Sequence, residues 1–353
     1  MTNETVTLRG GLIALILGCL FFIAVGEVGL RVIFPHWQDF YSGRFIQTER
    51  IPGRSGIAIG RPGFDGHFAQ NNGDFRVSIR INEIGLRNPD PVASADDRIW
   101  VIGDSMAFGW GVEQPEMYSS VIAKQSGAPT YNIASPGTDV CGYQSLAARM
   151  PKSVTPKAVI VGLILENDIS DYDCRKIASS ARPDAAPAPA APSADLMNVK
   201  MALTRQSALY NFVAVAVKRA APLVAALKSF GLIKEEHAYK LTFDKSRIDG
   251  LAASTADELV NLKRMFAEHV PFAVLIAPAR FEIRDNDPLY QELRLKVAEL
   301  LVARGIDVID PYPEFKQAGF RPTHFTHDGH WSALGHEIAG KAAAKWVARR
   351  LGK

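Results

Sequence analysis

The residues best suited to chemistry fall in four short segments spread along the chain. The first is Gly103-Asp104-Ser105, with an apolar, β-branched run (98–103) leading into it and Met106-Ala107-Phe108-Gly109-Trp110-Gly111 following. A strand that turns sharply into a helix at such a point lifts a serine hydroxyl clear of the sheet edge and aims backbone N–H groups at whatever binds above it. The second segment is Asn132-Ile133-Ala134-Ser135-Pro136-Gly137. Gly137 has no side chain, so its N–H can approach an oxyanion closely; the plainer reading is a turn. The third is Leu165-Glu166-Asn167-Asp168, where the Asn167 amide would serve the same oxyanion or else cap a turn. The fourth is His327-Asp328-Gly329-His330-Trp331-Ser332-Ala333-Leu334-Gly335-His336. Four of the eight histidines lie between His324 and His336, in a stretch read as a loop. An imidazole can take and return a proton near neutral pH, and an Asp two residues before His330 would hold its other ring nitrogen. Together the segments supply what acyl transfer to a serine requires: a hydroxyl, a base, a group orienting the base, and oxyanion donors.

The elements that must position these residues follow from hydrophobic pattern. Apolar runs at about 98–103, 130–134, 157–164, 271–277 and 306–310 read as strands, and their near-continuous Val, Ile and Leu content suits a parallel sheet covered on both faces. Helices fit 115–126, 142–150, 254–269, 287–304 and 333–350, with Ser254 and Asp257 as a capping-box start for the third. The alternation predicts a flavodoxin-like three-layer α/β/α sandwich on a five-stranded parallel sheet, with ligands bound at the carboxyl ends of the strands. Each of the first three segments closes a strand, and the fourth precedes the last helix. Residues 37–97 read as a small β-rich lead-in, clearest at Phe75 to Ile81 and in the turn Asn82 to Gly85, with no chemistry assigned to it. An insertion at about 175–250 interrupts the domain 98–353. It holds an Ala/Pro-rich linker (181–194) and an apolar helical stretch, Met197 to Ile233, broken at Pro222. A packed helical hairpin, a lid over the site and an interfacial helix all fit that stretch.

The first 36 residues stand apart. No charged side chain occurs from Gly10 to Gly26, and the apolar pattern runs on to Phe34 before Pro35. It reads as an N-terminal transmembrane signal anchor, or as a cleaved signal peptide ending at Ala24-Val25-Gly26. In either case the bulk of the chain is exported, giving an inner-membrane, single-pass protein with its catalytic domain on the periplasmic or extracellular side. In such a compartment Cys141 and Cys174, each a few residues past a strand, would form a disulfide tying two site loops together; two unrelated thiols is the bland alternative. Cys19 falls inside the apolar span. A formal charge of +3 with no basic run argues against nucleic acid as a partner. The histidines lack the carboxylate–histidine spacing of zinc enzymes, and no metal or cofactor is implied.

The four segments, in this order, resemble the blocks of the SGNH (GDSL-type) hydrolase superfamily, in its membrane-anchored bacterial envelope form. The resemblance covers about 98–350 and includes Gly335, five residues after His330. It implies Ser105 as nucleophile and His330 as base, with the Ser105 and Gly137 N–H groups and the Asn167 side chain forming the oxyanion hole. One departure concerns the acid. The family sets its Asp three residues before the His, where this chain has His327. Asp328 lies one residue closer, in an Asp-x-His-Trp arrangement similar to that of membrane-associated proteins that move acetyl groups on polysaccharide, and His327 is the fallback base. The implied function is a serine esterase removing small acyl groups, acetyl above all, from cell-envelope polysaccharide. An O-acyltransferase or acetylation accessory working with partner acyltransferase machinery, and a non-catalytic carbohydrate-binding scaffold, are the alternatives.

Overall fold

The computed structural model describes residues 8–70, 72–176, 193–230 and 245–352. Most of the Ala/Pro-rich stretch read as a linker, 181–192, lies outside them. The chain divides into two units, one of Ser42–Phe68, Asp74–Pro187 and Glu235–Lys353, the other of Met1–Tyr41, Ala69–Gly73 and Ala188–Lys234.

The larger unit begins with an antiparallel hairpin, β1 (Ile46–Glu49) and β2 (Ile57–Gly60), and a second two-stranded sheet of β3 (Asp65–Ala69) and β4 (Arg76–Arg80). It then forms a five-stranded sheet of β5 (Ile99–Ile102), β6 (Thr130–Asn132), β7 (Ala158–Ile164), β8 (Phe272–Ala277) and β9 (Asp307–Ile309). The order is β6-β5-β7-β8-β9 and every pairing is parallel. This is the doubly wound α/β arrangement expected, with the order reversing between β5 and β7, where ligands of such sheets bind.

Every residue of β5, β7 and β8 is buried, so alternation sorts side chains between two cores instead of between core and water. Trp100, Ile102, Val159, Val161 and Val274 face a core completed by the helices Val140–Arg149, Ile248–Lys263 and Pro288–Ala303. Ile99, Val101, Ile160 and Leu275 face another, completed by the helices Tyr118–Ser126 and Ala333–Leu351. Each fully buried aliphatic side chain contributes about 1.5–3 kcal/mol. The lead-in joins both cores, through Ile57 and Ile59 on one side and Phe45, Val77 and Ile79 on the other.

One helix start is corrected. The helix expected at 254–269 runs Ile248–Lys263, and Ser254 lies in its interior, donating to the Tyr172 carbonyl (2.9 Å) while Asp257 pairs with Arg304 (2.8 Å). Its buried stripe of Ile248, Leu251, Ala252, Thr255 and Leu259 already extends upstream of Ser254, and packing of that stripe outweighs the local capping signal.

In the smaller unit, the helix Leu8–Ile33 contains a 24-residue apolar stretch, Gly10–Ile33, of mean hydropathy 2.5, long enough to cross a bilayer. The described part of the insertion forms three helices, Ser193–Gln206, Ala208–Arg219 and Ala221–Ser229. The break expected at Pro222 falls at Ala220, because proline is tolerated in a helix's first turn. A second break falls at Ser207, whose side chain accepts from the Tyr210 N–H as an N-cap.

Candidate active site

The turn after β5 is shaped by a close approach. A Cβ on Gly103 would sit 2.6 Å from the Ala107 Cβ and 3.1 Å from the Gly162 carbonyl oxygen, so only glycine lets the chain pass β7 here. Asp104 then caps the short helix Ser105–Phe108, its Oδ1 accepting from the Met106 N–H (2.8 Å). Ser105 is the first residue of that helix and is 9 % exposed.

The chain returns 225 residues later to place His330 Nε2 at 2.8 Å from Ser105 Oγ. On its other side, His330 Nδ1 makes a short hydrogen bond to Asp328 Oδ1. A carboxylate can only accept, so Nδ1 carries the proton and Nε2 presents a lone pair to the serine hydroxyl. Burial pushes the Asp328 carboxyl up, but the hydrogen bond and charge of His330, aided by Arg280, outweigh it and hold the group below its usual range. Asp328 is therefore ionised at neutral pH. Substituting Asp328→Asn would present an amide where Nδ1–H needs an acceptor. The expected result is a fall in kcat of about 10²–10⁴-fold with KM little changed, read from steady-state ester hydrolysis.

The two proposed oxyanion segments are stitched to this turn. The Ser135 N–H and the Thr138 hydroxyl both donate to the Gly103 carbonyl (3.1 and 3.3 Å), and Gly137 lies between them, exposed, at φ +73°. That backbone conformation favours glycine, which gives the residue type a reason beyond close approach. Asn167 is exposed and donates from Nδ2 to Asp104 Oδ2 (3.3 Å), which ties it to the residue before the serine. Below, Asp168 is buried and accepts from the Tyr143 hydroxyl and the Ile164 N–H on the same oxygen (both 2.7 Å). Burial, then the nearby Asp104 carboxylate, push Asp168 well above the carboxylate range. It ties the end of β7 to the Val140–Arg149 helix beneath the site.

The other histidines divide differently from the sequence reading. His327, the fallback base, is engaged by Asp74, which accepts from its N–H (2.8 Å) and lies 2.7 Å from its Nδ1. The lead-in, assigned no chemistry, thus supplies the residue that fixes this segment. His324 and His336, expected in a loop, are buried: His324 stacks on Phe320 at 4.7 Å, and His336 lies in the last helix with its Nδ1 accepting from the Tyr118 N–H (3.3 Å). The apolar spacing of Ala339, Ala343 and Val347 places His336 on the buried face of that helix. Burial lowers both imidazoles to about 3 from 6.5. As pH falls below 6.5 the unfolded chain takes up protons that the folded chain refuses. Stability is then lost by up to about 1.4 kcal/mol per pH unit for each histidine, until the folded groups titrate. Urea unfolding between pH 6.5 and 4.5 should show this slope, and His336→Asn should remove roughly half of it.

Two further residues adjoin the site: Arg280, which went unread in the sequence, and Trp110, which reads there as a pocket wall or core residue. Arg280, just past β8, donates to both Glu166 oxygens from its backbone N–H and its Nε (2.6 Å each). Its guanidinium packs against Gly329, leaving no room there for a Cβ. It therefore links the Asn167 segment to the Asp328–His330 segment. Trp110 lies 6.0 Å from the His330 ring and packs on Phe68 at 4.6 Å. Arg280 sits at a carboxyl strand end, where the rule used for the other segments applies.

Cys141 and Cys174 are joined by a disulfide with Cα atoms 5.2 Å apart, linking the start of the Val140–Arg149 helix to the chain beyond Asp168. Closing a loop of 33 residues is worth about 3–4 kcal/mol by chain entropy. A Cys141→Ser/Cys174→Ser variant should lose roughly that in denaturant unfolding, and peptide mapping without reductant should recover the linked pair.

No family model and no curated protein matches this chain. Similar solved structures include a carbohydrate esterase family 2 enzyme with its carbohydrate-binding domain from Corynascus thermopiles (Myceliophthora fergusii), at 15% identity and TM-score 0.41, covering 75% of this chain and 68% of that one. A member of the lipolytic G-D-S-L family from Veillonella parvula follows at 12% identity and TM-score 0.39, covering 71% and 98%. An acetylxylan esterase from Geobacillus stearothermophilus stands at 12% and 0.37, covering 73% and 95%.

Proposed function

We propose that this chain is a serine esterase that removes small acyl groups, above all acetyl, from cell-envelope polysaccharide through an acyl-serine intermediate. The observation that carries the reading is the continuous relay Ser105–His330–Asp328, assembled from segments far apart in sequence with each nitrogen of His330 engaged. His330 Nε2 takes the Ser105 proton as Oγ attacks the ester carbonyl carbon. The oxyanion that forms is held by the Ser105 and Gly137 N–H groups and the Asn167 amide. His330 then returns the proton to the departing sugar oxygen, which leaves as a hydroxyl with the acyl group on Ser105. Water, deprotonated by the same imidazole, releases the free acid and restores the serine. The polysaccharide assignment rests on the resemblance of the four segments and on reading Gly10–Ile33 as an anchor that keeps an exported domain beside the envelope.

The test is release of acetate from acetylated polysaccharide by the full chain in detergent, beside hydrolysis of p-nitrophenyl acetate. Turnover of both supports the reading. Turnover of the small ester alone leaves the esterase and removes the polysaccharide. Transfer of acetyl to an added sugar in preference to water replaces hydrolysis with acyl transfer.

A further inference from the structure

The anchor helix and the insertion meet at a built junction. Glu27, near the end of the apolar stretch, accepts from the Ala208 and Leu209 N–H groups (2.9 and 3.0 Å) and from the Ser207 hydroxyl (2.8 Å). It thereby caps the N-terminus of the helix Ala208–Arg219, where the helix dipole favours a carboxylate. Arg31, one turn on, pairs with Glu27 (2.7 Å), donates to the Gln206 carbonyl (2.6 Å) and stacks over Trp37 at 4.7 Å. Asn211 closes the set, donating to the carbonyls of Trp37 (3.0 Å) and Thr204 (2.9 Å). Leu209 packs against Gly26, 3.9 Å from where its Cβ would be.

This junction fixes the depth of the insertion. The stretch Gly10–Ile33 has 24 residues and is about 36 Å long, roughly 6 Å more than the hydrocarbon core of a bilayer. Glu27 lies about 9 Å short of the end at Ile33. With that stretch centred on the core, Glu27 and the start of the Ala208–Arg219 helix would lie about 6 Å inside the edge of the acyl chains.

What the insertion shows outward fits that place. In the Ala208–Arg219 helix, Leu209, Phe212, Val213 and Ala216 share one stripe, which begins at the anchor contact and continues with Phe212 and Val213 exposed (51% and 46%). The next helix continues it with Leu223 exposed and Phe230 just beyond its end, 77% exposed; the preceding one exposes Val199 and Leu203 at helical spacing. Residues 193–230 carry five cations, Lys200, Arg205, Lys218, Arg219 and Lys228, against one Asp195. Exposed apolar stripes with a cationic excess suit a surface of anionic phospholipid.

We propose that the three helices of 193–230 lie in the membrane–water interface beside the anchor, with their apolar stripes among the upper acyl chains and Lys200, Arg205 and Lys228 at anionic headgroups. This rests on the anchor reading of Gly10–Ile33 and on nothing about the ester chemistry. The test uses the full chain with Cys19→Ser, reconstituted in vesicles of phosphatidylethanolamine and phosphatidylglycerol. Single reporter positions, Phe212→Cys, Phe230→Cys and Leu20→Cys, each carry a nitrobenzoxadiazole label and are quenched either by aqueous iodide or by nitroxide-bearing lipid. Labels at 212 and 230 should lose most of their emission to the lipid quencher and little to iodide, as the label at 20 does. Iodide quenching at 212 and 230 with lipid quenching at 20 would overturn the proposal while keeping the anchor. Protection from both quenchers at 212 would assign the stripe to a protein partner, which also overturns it. Absence of lipid quenching at 20 would remove the anchor and the proposal together. Ester hydrolysis by each variant reports that the fold is kept.

Discussion

Ser105→Ala is expected to lower kcat for p-nitrophenyl acetate by about four to six orders of magnitude, the cost seen when a hydroxyl nucleophile with its own base is removed. The loss is expected in the chemical step, because Ser105 Oγ sits 2.8 Å from His330 Nε2, the proposed acceptor of its proton. Folding should be nearly unaffected. The Ser105 hydroxyl hydrogen-bonds His330, and the helix it begins is capped by Asp104. Losing one small hydroxyl changes stability by about 1 kcal/mol or less. Equal denaturation midpoints with a collapsed kcat separate a missing nucleophile from a damaged fold. A variant that folds and keeps its activity would remove Ser105 from the mechanism.

The second large effect discriminates between two histidines three residues apart. His330→Ala should approach the Ser105→Ala loss, since without Nε2 there is no base for the hydroxyl and no acid for the leaving group. His327→Ala should cost far less. Its ring is held by Asp74, and its role is to fix the segment that carries Asp328 and His330. The His327 variant should show a modest fall in kcat and a lowered midpoint, with the pH profile of ester hydrolysis unchanged in shape. If His327→Ala proves the more damaging of the pair, the base assignment falls, because the relay drawn through His330 could not then be the working one.

Much of the architecture was legible because the parallel sheet is buried on both faces. All five strands lie within the apolar runs read from the chain, each trimmed by one or two residues at its ends. The polar strand ends were legible for the same reason, since a polar group straight after a fully apolar strand has few places to go except the carboxyl edge of the sheet. The His330–Asp328 contact follows from two-residue spacing and a turn. What stayed hidden depends on pairings between distant segments. Asp74 lies more than 250 residues before His327 and carries no pattern of its own. His324 and His336 looked like site histidines by density alone, and only the packing of Phe320 and Tyr118 against them shows that they belong to the core. Arg280 could have been found by extending the strand-end rule to β8; its partner Glu166 stands beside the already noted Asn167. The helix start at Ile248 was missed because a good local cap at Ser254 competes in sequence with a longer buried stripe.

The central claim is that an acyl group passes through Ser105. The most direct measurement mixes the full chain with p-nitrophenyl acetate, quenches in acid during turnover, and maps acetylated peptides by mass spectrometry. An acetyl adduct is expected on the peptide bearing Ser105, absent from Ser105→Ala. Turnover that proceeds with no adduct on Ser105, or with an adduct on another side chain, would contradict the account.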